Sequence, residues 1–509
     1  MATIVSSRAA APSSWAEAFP VRLALLVLLG LLVAGLHPYG YTGGGADDGR
    51  YLEAVRCIVS NGYCVPTNHW AARLPVVLPS SAIVALVGES RGTLLLIPLL
   101  YGAGSLILFA LLVRRIAGER AATLASLALI CTPAFISRWL RLNVDIPELF
   151  FLLAALSLLL AAVRREQASL AIAAGAAVGL AVLSRTTAFT AAPIIVAGLM
   201  LFTSKPLKWT LLLAIGGLAA LAAEALLHGL TAGRPLLSWE LAHAHTRIPS
   251  TSLPRSLDFT KSPILNVDYI AIYPRPAGIR IHWLVDGALN LLANPQLALT
   301  LCAAIALSLA SLVEARRKRA EAAPSRLPWF LVGAALLYFA TLTFFFAVNP
   351  TPRMFMPVIC VAAFAIGCWA QSHRSRPERL AIAAILAAML ATTATGGLRT
   401  VHLPDHEEEA ERWVAESREP LAISRTAASV FALSPSLSEL PRATPTTSRP
   451  TIGIGPGCTG IPAERLLRRV VPRSNWLIPH DVARRIGLQR QPIVLCLISP
   501  AGPAAAPRP

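Results

Sequence analysis

Runs of roughly 17 or more apolar residues, almost free of charge, recur along the chain and are parted by short polar breaks. A helix rises about 1.5 Å per residue, so each run is long enough to cross a hydrocarbon core of about 30 Å. Eleven such windows fall near 21–38, 93–113, 121–137, 146–163, 168–184, 186–203, 209–229, 286–313, 328–348, 354–371 and 380–396. The fifth and sixth share only the break "SRTT" at 184–187. No small-residue cleavage site closes the first window, which reads as an uncleaved span and not as a signal peptide. Two breaks are long, 39–92 and 230–285, and the chain turns polar for good at about 399. Ordering such long segments costs conformational entropy, so they need a purpose.

The first long break carries helical spacing of its own. In "DDGRYLEAVRCIV" Tyr51, Ala54, Val55 and Ile58 fall on one face, and "VVLPSSAIVALVGES" (76–90) is apolar but too short to span comfortably. Both are expected to be helices lying along the outer membrane face. The tail opens on an acidic helix, "DHEEEAERWVAES", followed by the strand-like runs "PLAISRT", "TIGIG", "NWLIP" and "PIVLCLIS" and a helical "PAERLLRRVV". The expected organisation is a helical membrane module over 1–398 and a small α/β domain over 399–509.

Composition agrees with the spans: 55% of the 509 residues are hydrophobic and 14% charged, with a mean hydropathy of +0.60. The net charge of +18 invites a nucleic-acid reading, but the basic residues are dispersed among alternate loops. "RRIAGER" (114–120), "RREQ" (164–167), "SKPLK" (204–208), "EARRKRAEAAPSR" (314–326) and "SHRSRPER" (372–379) all fall on one side if the N-terminus is cytoplasmic. The positive-inside rule therefore places the two long loops and the tail outside the inner, cytoplasmic membrane, and no nucleic-acid partner is expected. Of the eight cysteines, Cys57 and Cys64 lie in the first outside loop and Cys458 and Cys496 in the tail. An oxidising exterior permits two disulfides there, and four reduced thiols packed as small hydrophobes remain the alternative.

Candidate chemistry collects at the outer helix ends. Asp47 and Asp48 are either a solvated Gly/Asp turn or a general base with its neighbour, since two adjacent acids repel and one takes a raised pKa. Asp145 opens the fourth span either as a helix cap or as a second acid, with Arg138 and Arg141 just upstream either snorkelling or binding an anion. Arg185 and Arg353 add cations at other outer ends, which suits a phosphate that stays anchored in the membrane. His69 and Trp70 are placed to meet a sugar or an acceptor, Trp70 alternatively as an interfacial anchor. His243 and His245 are a weak metal pair, because their spacing of two sends the rings apart.

Together these residues carry a resemblance. "ADDGRYLEAVRCIVSNG…HWAARLPVVLP" resembles the first outside loop of the GT-C membrane glycosyltransferases that use polyprenyl-phosphate sugars, the protein O-mannosyltransferase and aminoarabinose transferase superfamily. An acid pair and a Tyr open that loop in the family, matching Asp47, Asp48 and Tyr51. Asp145 matches the acid of the second loop, "GAAVGLAVLSRTTAF" (175–189) a glycine-containing span closed by a base and Thr, and "PRMFMPVICV" resembles a late Arg-aromatic-x-x-Pro entry to a span, with Met354 where an aromatic is commoner. The resemblance implies a polytopic α-helical GT-C fold and an inverting transfer of a hexose or pentose from a lipid phosphate, with a protein, lipid or glycan as acceptor. It also implies Asp47 as base and Tyr51, His69, Arg73, Arg138, Arg141, Arg185 and Arg353 as substrate-binding residues. Some relatives hold a divalent metal through a Glu in a Glu-Lys-Pro-Pro stretch; this chain has "AARLP" there, keeping Arg73 and Pro75 without the Glu, which leaves metal dependence open. The rival classes are a transporter or flippase of lipid-linked glycans, which needs ionisable groups within spans such as Glu224 and His228, and a non-catalytic scaffold.

Overall fold

The computed structural model describes residues 19–37, 47–246, 297–317, 326–342, 352–372, 375–398, 403–444, 447–472 and 493–500, with positions 482 and 485. The membrane module is helical: α1 (Phe19–Gly35), α2 (Asp47–Asn61), α3 (Leu74–Val87), α4 (Arg91–Ala117), α5 (Glu119–Ile130), α6 (Pro133–Ile136), α7 (Asp145–Arg165), α8 (Ala168–Ser184), α9 (Ala191–Phe202), α10 (Pro206–Ala232), α11 (Leu237–Thr246), α12 (Ala298–Arg317), α13 (Arg326–Ala340), α14 (Met356–Ser372) and α15 (Arg376–Leu398). Five stretches are long and apolar enough to cross a membrane, 91–117, 145–165, 206–232, 353–372 and 376–397, and further apolar helices are shorter. The chain is a multi-pass membrane protein. The windows expected at 286–313 and 328–348 lie partly outside the described residues.

The third window is not one helix. α5 stops at Ile130, the chain kinks through Cys131 and Thr132, and a single turn, α6, follows Pro133. Proline cannot donate the bond that would continue the helix. The broken backbone is satisfied by side chains, as apolar surroundings demand. Thr393 Oγ1 donates to the Cys131 carbonyl, and the Thr132 hydroxyl bonds the Ala128 carbonyl at 2.8 Å and the Thr300 hydroxyl at 2.9 Å.

Small residues bring helices into close contact. A methyl group built on Gly216 of α10 would collide with the Ile172 carbonyl of α8, and one on Gly175 of α8 with the Leu213 carbonyl. Where hydrophobic segregation gives little drive between helices, such backbone-to-backbone packing supplies the dispersion contact. Trp139 is lodged the same way: a methyl on Gly30 (α1) or Gly102 (α4) would lie 2.7 Å from its indole. At the other end of α1, Arg22 and Arg114 grip the two oxygens of Glu119, each at 2.7 Å.

Of the face the spacing predicts, α2 buries Tyr51, Ala54 and Val55, with Ile58 partly buried and Leu52 added, and these pack on Val76, Val77 and Val84 of α3 and on Leu94 and Leu142. A Cys57–Cys64 disulfide closes the end of α2. The C-terminal region comprises α16 (Leu403–Glu416), β1 (Ala422–Ile423), α17 (Arg425–Val430), α18 (Pro435–Ser438), β2 (Thr451–Ile454), β3 (Leu466–Val470) and β4 (Leu495–Ile498). Its mixed sheet runs β1-β2-β4-β3, β1 parallel to β2 and the other pairs antiparallel. Trp413 of α16, Phe431 and Leu437 cover it, and a Cys458–Cys496 disulfide ties the turn after β2 to β4. One expectation fails: "PAERLLRRVV" is not a helix but one 3-10 turn followed by β3. Pairing with β4 provides backbone bonds that overrule local helix propensity. "NWLIP" lies outside the described residues.

Candidate active site

The site is built where helix ends meet. Asp47 and Asp48 form the first turn of α2, where the helix dipole favours negative charge. Asp47 accepts from Trp70 Nε1 at 2.9 Å through one oxygen and from Arg353 Nη1 at 2.8 Å through the other. Burial pushes the Asp47 carboxyl up, but the charge and hydrogen bond of Arg353 outweigh it and leave the group below the usual carboxylate range. Asp48 moves the other way. Burial raises it, the charge of Asp47 adds to the rise, and Arg141, Arg138 and Arg91 offset only part of it. The adjacent acids are thus pushed apart.

Asp145 begins α7 but does not cap it. The side-chain oxygen of Asn143 accepts from the backbone N–H groups of Asp145 at 3.0 Å and Ile146 at 3.2 Å. The Asn143 amide in turn donates to the carbonyls of Arg138 and Arg141, so one side chain shapes the loop bearing both arginines. Trp139, fully buried between them and packed edge-on against Phe135, anchors that loop in the module. Released from capping, Asp145 takes Arg185, the residue ending α8, in an ion pair at 2.7 Å. Glu148, one turn into α7, lies 3.7 Å from the same guanidinium and accepts from the Tyr338 hydroxyl at 3.4 Å. Asp145 is 1% exposed, and its second oxygen has no hydrogen-bond partner among the described residues.

The remaining predicted residues converge here. Arg73, at the mouth of α3, is buried within electrostatic reach of Tyr51, Arg185 and Glu148. Arg138 and Arg141 sense Asp48, Asp145 and Arg353. His69 lies against Trp70 with ring centroids 3.6 Å apart and planes tilted by 40°, and it acts electrostatically on Asp47. The sequence reading missed Glu148, Tyr338 and Asn143. Glu148 was visible only as the Glu of "DIPE", which fits a capping box equally well.

No three His, Cys, Asp or Glu side chains converge as a metal set among the described residues, and the carboxyls here face guanidiniums. The donor set does not fit a metal, and no step below is routed through one. The side chains of His243 and His245 lie outside the described residues. Glu224 and His228 share a hydrogen-bond network, with Glu224 also within electrostatic reach of Arg73: Ser238 donates to Glu224 at 2.8 Å, its hydroxyl meets His228 Nε2 at 3.0 Å, and Tyr63 meets His228 Nδ1 at 2.8 Å.

Comparison with known proteins bears on the fold. Residues 75–227, just under a third of the chain, match the family model for dolichyl-phosphate-mannose-protein mannosyltransferase. ArnT from Cupriavidus metallidurans in the apo state superposes with a TM-score of 0.50 at 15% identity, over 96% of this chain and all of that one. The fold is of the GT-C type. Also similar is the oligosaccharyltransferase AglB from Archaeoglobus fulgidus in complex with an inhibitory peptide and a dolichol-phosphate, at a TM-score of 0.50 and 14% identity over 86% of this chain. The chain spans 62% of that protein's length. By sequence alone no curated protein is a significant match.

Proposed function

We propose that the protein is a membrane glycosyltransferase that moves a sugar from a polyprenyl-phosphate donor to an acceptor on the outer face of the cytoplasmic membrane, with inversion. The observation that carries the reading is the convergence of an acid pair with Arg73, Arg138, Arg141, Arg185 and Arg353 at one set of helix ends. Lys and Arg gather at the opposite ends, as in the Glu166 pairs with Lys205 and Lys208, which supports a cytoplasmic N-terminus and an outside C-terminal domain. The family-model name and the AglB complex with dolichol-phosphate support a lipid-phosphate donor.

The residues divide the work. The donor's lipid tail stays in the bilayer while its phosphate lies among the arginines, with Arg185 and Arg353 as main contacts and Arg138 and Arg141 in support. An acceptor hydroxyl or amine attacks the anomeric carbon, the bond from that carbon to the phosphate oxygen breaks, and the electron pair leaves on the phosphate. A single displacement inverts the anomeric centre. Fixed guanidiniums stabilise the charge that grows on the leaving group more than the ground state. Asp47, held ionised by Arg353, takes the acceptor's proton, a role worth on the order of 10²- to 10⁴-fold. His69 and Trp70 border the same carboxylate and meet the sugar or acceptor. A flippase would use ionisable groups along the spans, whereas Glu224 and His228 bond to Ser238 and Tyr63.

The test is release of polyprenyl phosphate by protein in lipid nanodiscs from a panel of radiolabelled polyprenyl-phosphate sugars. Wild type is expected to release it with at least one donor and the Asp47→Asn variant not to. A fully active Asn variant removes Asp47 as the base. Donor binding without release for every donor overturns the transferase reading in favour of transport.

A further inference from the structure

The C-terminal region is bound to the helix that carries the acid pair. Leu433, at the corner between α17 and α18, is part of the buried cluster of Tyr51, Leu52 and Val55 on α2. Its neighbour Ala432 touches the backbone of Gly49, one residue after Asp48: a methyl on Gly49 would lie 2.8 Å from the Ala432 Cβ. About two turns further along α2, Arg56 donates to Ser438 at 2.8 Å while paired with Glu89 at 2.7 Å. Deepest is an ion pair at 2.7 Å between Glu407 of α16 and Arg91, the first residue of α4, with side chains only 10% and 12% exposed. Arg91 also acts on Asp48, alongside Arg138, Arg141 and Asp47.

We infer that the C-terminal region is a working part of the transfer site: its Ala432–Leu433 corner fixes the turn that presents Asp47 and Asp48, and Glu407 is a positioning residue that holds Arg91, the cation at the start of α4, within electrostatic reach of Asp48. The inference rests on the transferase reading for its catalytic half only. Arg91 then has two duties, an anchor toward Glu407 and a charge toward Asp48. Exchanging the charges separates them. A carboxylate at 91 and a guanidinium at 407 still pair and still dock the region, but Asp48 then faces an anion. The acids titrate as a coupled pair, so the acid limb of the pH profile reports them jointly. Loss of a cation beside them moves that limb to higher pH.

The experiment uses the full chain in nanodiscs, with Arg91→Glu, Glu407→Arg, their double exchange and Ala432→Leu. Amide exchange over 47–61 reads docking without reference to activity, and polyprenyl-phosphate release reads kcat, KM and the pH profile. Both single variants and Ala432→Leu are expected to exchange faster over 47–61, and the double exchange to restore protection. In the double exchange kcat stays at least tenfold down, KM for the donor is within twofold of wild type, and the acid limb lies at higher pH. Recovery of kcat together with protection would reduce the contact to scaffolding and overturn the inference, as would unchanged protection in Glu407→Arg and Ala432→Leu. A wild type that releases nothing from any donor defeats the transferase reading, and with it the catalytic half, while the exchange data still decide the docking.

Discussion

Replacing Arg185 by Gln gives the sharpest measure of how the site is held. The guanidinium lies 2.7 Å from Asp145 and 3.7 Å from Glu148, whose side chains are 2% and 3% exposed. At an effective dielectric of about 20 those separations correspond to gross attractions of about 6 and 4 kcal/mol, most of which offset the desolvation of three ions. Removing the shared cation leaves two buried carboxyls facing each other, and breaking a buried pair from one side costs roughly 3–5 kcal/mol. Asp145→Asn keeps the shape and an acceptor oxygen, and Glu148 remains for Arg185, so it costs less. In the double variant only one carboxyl is left, so the two losses do not add. Unfolding by SDS titration in mixed micelles would give the four free energies of the cycle. We expect Arg185→Gln to be the most damaging single change and the coupling to reach about 1–3 kcal/mol. Coupling below about 0.5 kcal/mol would show that the three groups do not share one buried network and would refute the argument.

Gly216→Leu should separate α8 from α10, since even a methyl strikes the Ile172 carbonyl; a lowered melting temperature and loss of donor release are expected, whereas Gly233→Ala, with nothing within 4 Å, costs only the strain of its positive φ. Gly102→Val should expel Trp139 and disturb the Arg138–Arg141 loop, for an overpacking cost of about 1–3 kcal/mol visible in thermal unfolding.

Much of this layout is legible in the sequence because it depends on local periodicity. The charge-free runs give the helices, the face of Tyr51, Ala54 and Val55 gives α2, and an Asp or Arg at a helix mouth draws attention because a charge there needs a reason. What is not legible is set by distant partners. Arg353 reaches Asp47 across 306 positions and Tyr338 reaches Glu148 across 190, and neither separation leaves a local trace. The capping role fell to Asn143 and not Asp145 because both residue types suit the task, and only the loop's path decides between them. "ERLLRRV" has helical composition, yet it lies beside β4, and the ladder it completes is a tertiary event. Glu407 reads as one acid among several on a solvated helix, although it is buried against Arg91.

The grip of Glu119 on Arg22 and Arg114 bears on how the protein is made. Arg22 precedes Glu119 by 97 positions. At synthesis rates of about 5–20 residues per second, the first helix emerges roughly 5–20 s before its partner exists. During that interval α1, with exposed Val21, Leu25, Leu28 and Leu32 along its length, can be held only by lipid or by the insertion machinery. Formation of this contact is thereby timed by translation: α1 waits until the hairpin of α4 and α5 arrives to clasp it.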